Sequence, residues 1–213
     1  MNNKRTIPFM QQSLSKRNCG AACLGMLLQS YKMKGKLQEI TDSVSQDNCN
    51  GVKYCNNDLI IGYAISRGLN CSVISAKCVK DLIMSCLDNN IEVFVLYHIE
   101  ENSPAGHFSI VSYVEDDYVY VNDPSKPQME GQNCKLTFDF LERRMKKISL
   151  ENGIIDEIAK DNTFILFSKE KDEDVLVHNE VEDGKVIYSK FDAVEGYVDY
   201  YRDPYHGKWV PNG

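Results

Sequence analysis

The chain changes the spacing of its apolar residues about halfway along, and this change is what most restricts its fold. From Cys19 to about Lys34, apolar side chains recur every three or four residues, which predicts a helix with one buried face. The same pattern predicts helices over 37–44, 57–67, 79–87 and 138–148, whereas runs rich in Val, Ile, Phe and Tyr predict strands over 70–75, 91–99, 107–114, 118–121 and 163–167. We therefore expect an α+β fold in which N-terminal helices pack on a C-terminal antiparallel sheet.

The composition changes after residue 168. Residues 169–213 are acidic and rich in tyrosine, and Asp183-Gly184 between β-prone runs predicts a hairpin over 175–188. We expect one main domain, residues 1–168, and an extension, residues 169–213. The extension either packs on the sheet, controls access to a cleft or binds a partner.

The net charge and the hydropathy of the sequence restrict the kinds of partner and the location that we expect. A net charge of −7 disfavours nucleic acid and anionic membranes, which need a clustered basic surface. The basic run Arg143, Arg144, Lys146, Lys147 alternates with apolar residues at helical spacing, so we interpret it as the solvated face of a helix. No apolar stretch resembles a signal peptide or a membrane span. We expect a protein made in the cytoplasm, with any export following a route that needs no signal peptide.

The eight cysteines are scattered through regular elements, which favours reduced thiols over a disulfide scaffold. Cys49 and Cys55, on either side of a polar loop, are the best candidates for a disulfide. Paired Cys-x-x-Cys or His-x-x-x-His motifs are missing from the sequence, which argues against zinc. We expect no metal and no cofactor.

Cys19 is placed where a nucleophile could form. It begins the first predicted helix, where unpaired N–H groups stabilise a thiolate, and Gly20 leaves room for a substrate carbonyl. Taken alone, a buried structural cysteine is the commoner interpretation. His107 changes the balance because it opens a strand after a flexible loop and can reach a cleft as a base.

Asp123 is the candidate for orienting His107. If residues 115–117 form a three-residue turn, Ser109 opposes Asp123, and His107 lies diagonally across on the same face. An even-numbered turn would send the two side chains to opposite faces. Before the helix, Gln12 or Gln11 could supply an amide to an oxyanion, or both could be exposed loop residues.

These residues form motifs that resemble one family. Gln11-Gln12, Asn18-Cys19-Gly20-Ala21-Ala22-Cys23-Leu24, Gly106-His107-Phe108-Ser109-Ile110-Val111 and Asn122-Asp123-Pro124 are together similar to the C39 peptidases. The resemblance covers roughly the first 168 residues. It implies a papain-like fold and a peptide or protein substrate, cut after a Gly-Gly pair in a leader peptide. The triad implied is Cys19, His107 and Asp123, with Gln12 at the oxyanion.

The chain also departs from the family pattern. Asn18 stands where an aspartate is usual, and Gln12 lies about one residue further from the cysteine than the family glutamine does. The sequence has neither a membrane region nor an ATPase loop, so we expect a free-standing relative. The same triad also fits an effector or toxin acting as an isopeptidase, amidase or acyl transferase, and a non-catalytic peptide-binding module is a third alternative.

Overall fold

The helices and strands of the computed structural model follow the predicted periodicities closely. The structure describes residues 6–13, 17–47, 53–76, 78–99, 106–145, 163–169, 187–192, 196–202 and 209–211. The helices among them are α1 (Cys19–Ser30), α2 (Leu37–Val44), α3 (Asn57–Ser66), α4 (Val79–Asp88), α5 (Gln128–Gly131) and α6 (Phe138–Met145). The strands are β1 (Ser45–Asp47), β2 (Lys53–Cys55), β3 (Asn70–Ser75), β4 (Glu92–His98), β5 (Gly106–Glu115), β6 (Tyr118–Asn122), β7 (Cys134–Thr137), β8 (Thr163–Ser168), β9 (Ile187–Asp192), β10 (Gly196–Arg202) and β11 (Trp209–Pro211).

One large sheet organises the molecule. Its strand order is β11-β10-β9-β3-β8-β4-β5-β6-β7, and each pairing is antiparallel. The strands β1 and β2 form a separate antiparallel pair. The predicted α+β class and antiparallel sheet are confirmed.

The helix α1 packs on one face of this sheet. Its side chains Leu24 and Leu27 are fully buried in a cluster that includes Phe94 and Phe108 from the central strands. The Phe94 ring lies edge-on to that of Phe108, with ring centroids 6.4 Å apart. The first helix is therefore fixed against β4 and β5, as the periodicity predicts.

The helices α4 and α6 cover the opposite face. Leu82 and Ile83 of α4 and Leu141 of α6 join a second cluster with Val93 and Val95 of β4. Because both faces of β4 are covered, its side chains are buried or nearly so along the whole strand. Of the basic run, Arg143 is exposed and Arg144 is partly exposed, and both lie outside this cluster, while Lys146 and Lys147 lie outside the described residues.

The turn between β5 and β6 differs from the prediction. Glu115 pairs with Tyr118, so Asp116 and Asp117 form a two-residue turn, and Asp116 has φ +55°. The three-residue turn was wrong. The register then shifts between Val111 and Tyr113, because Ser112 is one extra residue in β5, a β-bulge.

This bulge restores the register that the three-residue turn would have given. Beyond it Ile110 pairs with Asn122, which places Asp123 level with Ser109. An even-numbered turn followed by one extra residue returns side chains to the face that an odd-numbered turn would choose. The alignment expected from the wrong turn is therefore reached by a different route.

Asn122 holds the bulge and the N-terminal segment together. Its side chain is fully buried. Its Oδ1 accepts hydrogen bonds from Ser112 Oγ at 3.1 Å and from the Asn133 N–H at 3.0 Å, and its Nδ2 donates to the Ile7 carbonyl at 3.1 Å. Three separate segments thus depend on one amide.

Some predictions fall on parts of the chain that lie outside the described residues. These are most of the hairpin predicted over 175–188, the end of the helix predicted to residue 148, and Cys49 with its predicted disulfide. The strand β9 pairs with β3, so described residues beyond 168 extend the same sheet, while the division at residue 168 stays a prediction. Across the described ranges, no helix combines the length and apolar character needed to cross a membrane.

We expect Asn122→Ala to lower the free energy of unfolding by about 2 to 4 kcal/mol, because it leaves the buried Ile7 carbonyl and the buried Ser112 hydroxyl without their partner. Chemical denaturation followed by far-UV circular dichroism measures this change. Asn89→Ala is the matched control, since that amide bonds Ser85 at the surface and its loss should cost less than about 1 kcal/mol. Equal effects of the two substitutions would contradict the role of Asn122.

Candidate active site

His107 and Asp123 form a buried pair at one end of the sheet. The Nε2 of His107 lies 2.7 Å from Asp123 Oδ1, and the two residues are 5% and 3% exposed. The Tyr97 ring stands perpendicular to the imidazole, with ring centroids 5.6 Å apart. The Tyr97 hydroxyl is itself held by Ser109 Oγ at 3.1 Å. The imidazole is therefore fixed both by a hydrogen bond and by packing.

The loop after β6 holds the Asp123 carboxylate in place. Its Oδ1 accepts hydrogen bonds from the Ser125 N–H at 3.0 Å and the Ser125 hydroxyl at 2.7 Å. Lys126 Nζ lies 3.6 Å from Oδ2. The Asp123 N–H donates to the Gly131 carbonyl at 2.9 Å, and a Cβ on Gly131 would lie 2.5 Å from the Asp123 carbonyl oxygen. Only glycine allows this approach.

Cys19 begins α1, and the residue before it leaves the helix start open. Asn18 occupies the N-cap position, yet its side chain makes no capping hydrogen bond. Its Oδ1 instead accepts from the Ser13 N–H at 3.0 Å, and its Nδ2 donates to Thr41 Oγ1 at 3.0 Å. Asparagine at this position ordinarily satisfies N–H groups of the first turn. Here those groups stay available to sulfur.

The pKa values of Cys19, His107 and Asp123 depend on one another's charges. Burial raises the pKa of Cys19, but the hydrogen bond and charge of His107, together with the N–H groups of Phe108 and Gly20, bring it below its ordinary value. Burial lowers the pKa of His107, whereas the bonds and charges of Asp123 and Cys19 raise it to about 9. Cys19 and His107 therefore form a thiolate–imidazolium pair over a range of pH that ends near 9.

The Asp123 carboxylate completes the series of charges. Burial raises its pKa, but the hydrogen bond and charge of His107, and then the two bonds from Ser125, lower it to about 2. The carboxylate thus stays ionised at neutral pH and faces the imidazolium. His107 lies between the other two groups, so the structure brings the three predicted residues together.

Gln12 lies between the segments that carry the acid and the thiol. Its N–H donates to the Pro124 carbonyl at 2.9 Å, next to Asp123, and the following residue is bonded to Asn18, next to Cys19. Gln12 Oε1 is buried and has no hydrogen-bond partner within the part of the chain that the structure describes. Gln11 is exposed. Of the two candidates, only Gln12 has a side chain that reaches inward.

Gly20 has a different role from the predicted one. It is buried, and a Cβ at this position would lie 2.6 Å from Ile60 Cδ1, 3.0 Å from Cys55 Cβ and 3.2 Å from Phe108 Cδ2. Two of the neighbours that exclude a side chain, Ile60 and Phe108, belong to the buried core, and the third, Cys55, is partly exposed. Glycine therefore lets α1 approach α3 and β5 closely.

The sequence analysis missed several residues that position the site, namely Tyr97, Ser112, Asn122, Ser125, Lys126 and Gly131. A signal existed for Ser125, because an aspartate commonly accepts a hydrogen bond from the N–H two residues later. The other contacts join distant parts of the chain. Among the described residues, no group of three or more His, Cys, Asp and Glu could hold a metal ion.

Comparisons with known proteins show the family and the fold. The model of the peptidase C39 family matches residues 6–137. A double glycine motif protease from an AMS/PCAT transporter, solved in complex with its leader peptide, is 18% identical, with a TM-score of 0.51, covering 77% of this chain and 92% of that chain. A C39-like peptidase from Bacillus anthracis is 14% identical, with a TM-score of 0.55, covering 78% of this chain and 96% of that chain.

A third solved structure is similar to the same extent. It is the peptidase domain of Streptococcus ComA, a bifunctional ABC transporter involved in quorum sensing, which is 14% identical, with a TM-score of 0.54, covering 78% of this chain and all 100% of that chain. At these identities the likeness shows the fold, which is papain-like. No curated protein matches the chain.

The paired charges predict how Cys19 reacts with iodoacetamide as the pH changes. For an ordinary thiol the rate falls about tenfold for each pH unit below its pKa of ~8.5, because only the thiolate reacts. The exposed Cys78, whose pKa is raised, should behave in this way, whereas the Cys19 rate should fall less than the Cys78 rate between pH 8 and pH 6. Peptide mass spectrometry of the alkylated chain measures both rates together.

His107→Ala tests the cause of this behaviour. Removal of the imidazolium should move the pH dependence of Cys19 alkylation upward, toward that of an ordinary or buried thiol. Parallel profiles for Cys19 and Cys78 in the unsubstituted chain, or an unchanged Cys19 profile in His107→Ala, would contradict the ion pair.

Proposed function

The chain belongs to the peptidase C39 family, and we propose that it is a cysteine peptidase with Cys19 as nucleophile, His107 as proton carrier and Asp123 as the group that orients the imidazole. The observation that carries this proposal is the continuous contact from Cys19 through His107 to Asp123, with the 2.7 Å hydrogen bond at its buried end. A thiolate at a helix start beside an oriented imidazolium is the arrangement that nucleophilic catalysis by sulfur requires.

The reaction begins with attack of the Cys19 sulfur on a peptide carbonyl carbon. Because His107 Nε2 bonds Asp123, Nδ1 is the ring nitrogen left to face the sulfur and the leaving group. The imidazolium donates its proton to the leaving amine, which departs and leaves a thioester on Cys19. His107 then takes a proton from water, which attacks the thioester and releases the acid. Asp123 keeps the imidazole in one orientation through both steps.

The oxyanion of each tetrahedral intermediate needs donors that are already in place. The backbone N–H of Cys19 is one, and we assign the second to the Gln12 side-chain amide. In support of this, Gln12 is held between the acid and the thiol, and its inward-facing amide has hydrogen-bonding capacity that no described residue uses. Rotation of the amide by 180° about its last bond would present the NH₂ group inward.

We propose a peptide segment with a Gly-Gly pair before the cleaved bond as the substrate. The support comes from the similar double glycine motif protease that was solved with its leader peptide bound. Glycine on the acyl side of the bond carries no side chain, so a narrow cleft would accept it and exclude larger residues.

Digestion of a peptide library by the chain and by Cys19→Ala tests the reaction and its specificity together. We expect the substitution to abolish cleavage, because no thioester can form, and we expect the cut peptides to be enriched in glycine at the two positions before the bond. Cys78→Ser is the matched control, since it removes an exposed thiol and should cleave at the original rate. Cleavage that persists in Cys19→Ala would overturn the mechanism.

Separate substitutions of Gln12 and Gln11 distinguish a role at the oxyanion from a general effect of changing this loop. Gln12→Ala should lower kcat by about 10² to 10³-fold, the usual cost of losing one oxyanion donor, with little change in KM. Gln11→Ala should leave kcat within about twofold, because an exposed side chain contributes little at this position. Steady-state kinetics on one cleaved peptide measures both variants. Equal effects would remove Gln12 from the mechanism.

A further inference from the structure

A second thiol lies beside Cys19 at the start of α1. Cys55 is the last residue of β2, and its S–H donates to the carbonyl oxygen of Arg17, with 3.8 Å between sulfur and oxygen. Its Cβ lies 3.0 Å from the position that a Cβ on Gly20 would take. Cys55 therefore contacts the chain on both sides of the nucleophile.

The two thiols are also close enough to affect each other's charge. The negative charge of Cys19 is one of the causes that raise the pKa of Cys55, and the backbone at Gly20 lowers the pKa of both thiols. Together with the position of the Cys55 Cβ beside Gly20, this places both cysteines at the open first turn of α1.

Exposure distinguishes Cys55 from the other thiol close to Cys19. Cys23 lies one turn further along α1 and is completely buried in the core, so it cannot rotate toward solvent or toward the cleft. Cys19 and Cys55 are both partly exposed. Both are therefore open to a small oxidant, unlike the buried Cys23.

Cys19 should react with an oxidant before Cys55, because the pKa values of the two thiols differ. The pKa of Cys19 lies below its ordinary value, so its thiolate reacts first with an electrophile. Burial, and next the negative charge of Cys19, raise the pKa of Cys55 to about 11, so Cys55 stays a protonated thiol. Once Cys19 loses its charge, that second cause disappears, while the Gly20 and Ala21 N–H groups still favour a thiolate at Cys55.

We propose that Cys55 is the resolving thiol for Cys19, and that a hydroperoxide converts the pair into a reversible Cys19–Cys55 disulfide. The Cys19 thiolate attacks the peroxide, a sulfur–oxygen bond forms, the oxygen–oxygen bond breaks, and hydroxide or alkoxide leaves. The sulfur is oxidised to a sulfenic acid and the peroxide is reduced. Cys55 sulfur then attacks the Cys19 sulfur, and the hydroxyl leaves with the Cys55 proton as water.

The disulfide would block the nucleophile and protect it at the same time. A sulfenic acid without a neighbouring thiol is oxidised further to a sulfinic acid, which thiols do not reduce. A disulfide is reduced by thiol exchange and returns both cysteines. The inference involves the same Cys19 as the proposed peptidase mechanism, but its test is read from protein mass and alkylation, so each can fail without the other.

The experiment treats the full chain with hydrogen peroxide and follows Cys19 by mass spectrometry and by iodoacetamide labelling. We expect the loss of two hydrogen atoms from the intact mass, a Cys19–Cys55 peptide pair after digestion, and recovery of ~90% of Cys19 labelling on reduction with dithiothreitol. In Cys55→Ser we expect two added oxygen atoms on Cys19 and roughly tenfold less recovery. Circular dichroism before treatment establishes that the variant is folded, and Cys55→Ala replaces it if it is not.

Two further variants provide the controls. Cys49→Ser should still form the Cys19–Cys55 pair, because Cys49 takes no part in it, and Cys78→Ser should behave like the unsubstituted chain. A Cys49–Cys55 disulfide, or equally irreversible oxidation of Cys19 with and without Cys55, would overturn the proposal. Retention of the reversible response in Cys55→Ser would do the same.

Discussion

The position of the carboxylate beside His107 depends on one extra residue in β5. The turn between β5 and β6 has two residues, which alone would place Asp123 and His107 on opposite faces of the sheet. The bulge at Ser112 reverses that outcome, and its hydroxyl is tied to Asn122 Oδ1. The same amide holds Ile7, which precedes the segment carrying Gln12. One buried side chain therefore links the strand register, the acid and the proposed oxyanion donor.

The electrostatics of the site reflect a competition between burial and paired charge. Burial alone would keep Cys19 as a thiol, His107 neutral and Asp123 protonated, because each charged form loses its hydration. The pKa values of all three groups shift in the opposite direction. Each charge is compensated by its neighbour in the series and by fixed N–H or O–H donors. The site is thus stable only as a complete set, and removal of His107 would leave two buried groups without their counter-charge.

The sequence predicts regular elements well where a face of periodic apolar residues is long. The bounds predicted for α2 and β3 are those of the structure, and α1 begins at Cys19 as expected. The short strands β1, β2 and β7 were missed, because three or four partly exposed residues carry too little pattern. The bulge at Ser112 was also missed. It is stabilised by contacts with Asn122 that are distant in sequence, so local propensity gives no signal for it.

The candidate site also contains residues that local sequence predicts and residues whose roles depend on long-range contacts. Cys19, His107 and Asp123 could be selected from residue type and local position, whereas Gln12 was chosen over Gln11 only through the family resemblance. The structure places His107 between the thiol and the acid. The role of Gly20 could not be predicted, because the atoms that exclude a side chain there come from α3, β2 and β5.

The open start of α1 has a cause that follows from these long-range contacts. Asn18 stands at the N-cap, but the Ser13 N–H and the Thr41 hydroxyl occupy its side chain, so it does not cap the helix. A capping oxygen there would compete with sulfur for the first-turn N–H groups and would weaken thiolate stabilisation. An aspartate at position 18 could not donate to Thr41 when ionised, and it would add a negative charge next to the Cys19 thiolate. The asparagine therefore joins α1 to α2 while keeping the helix start free for the nucleophile and for its neighbour Cys55.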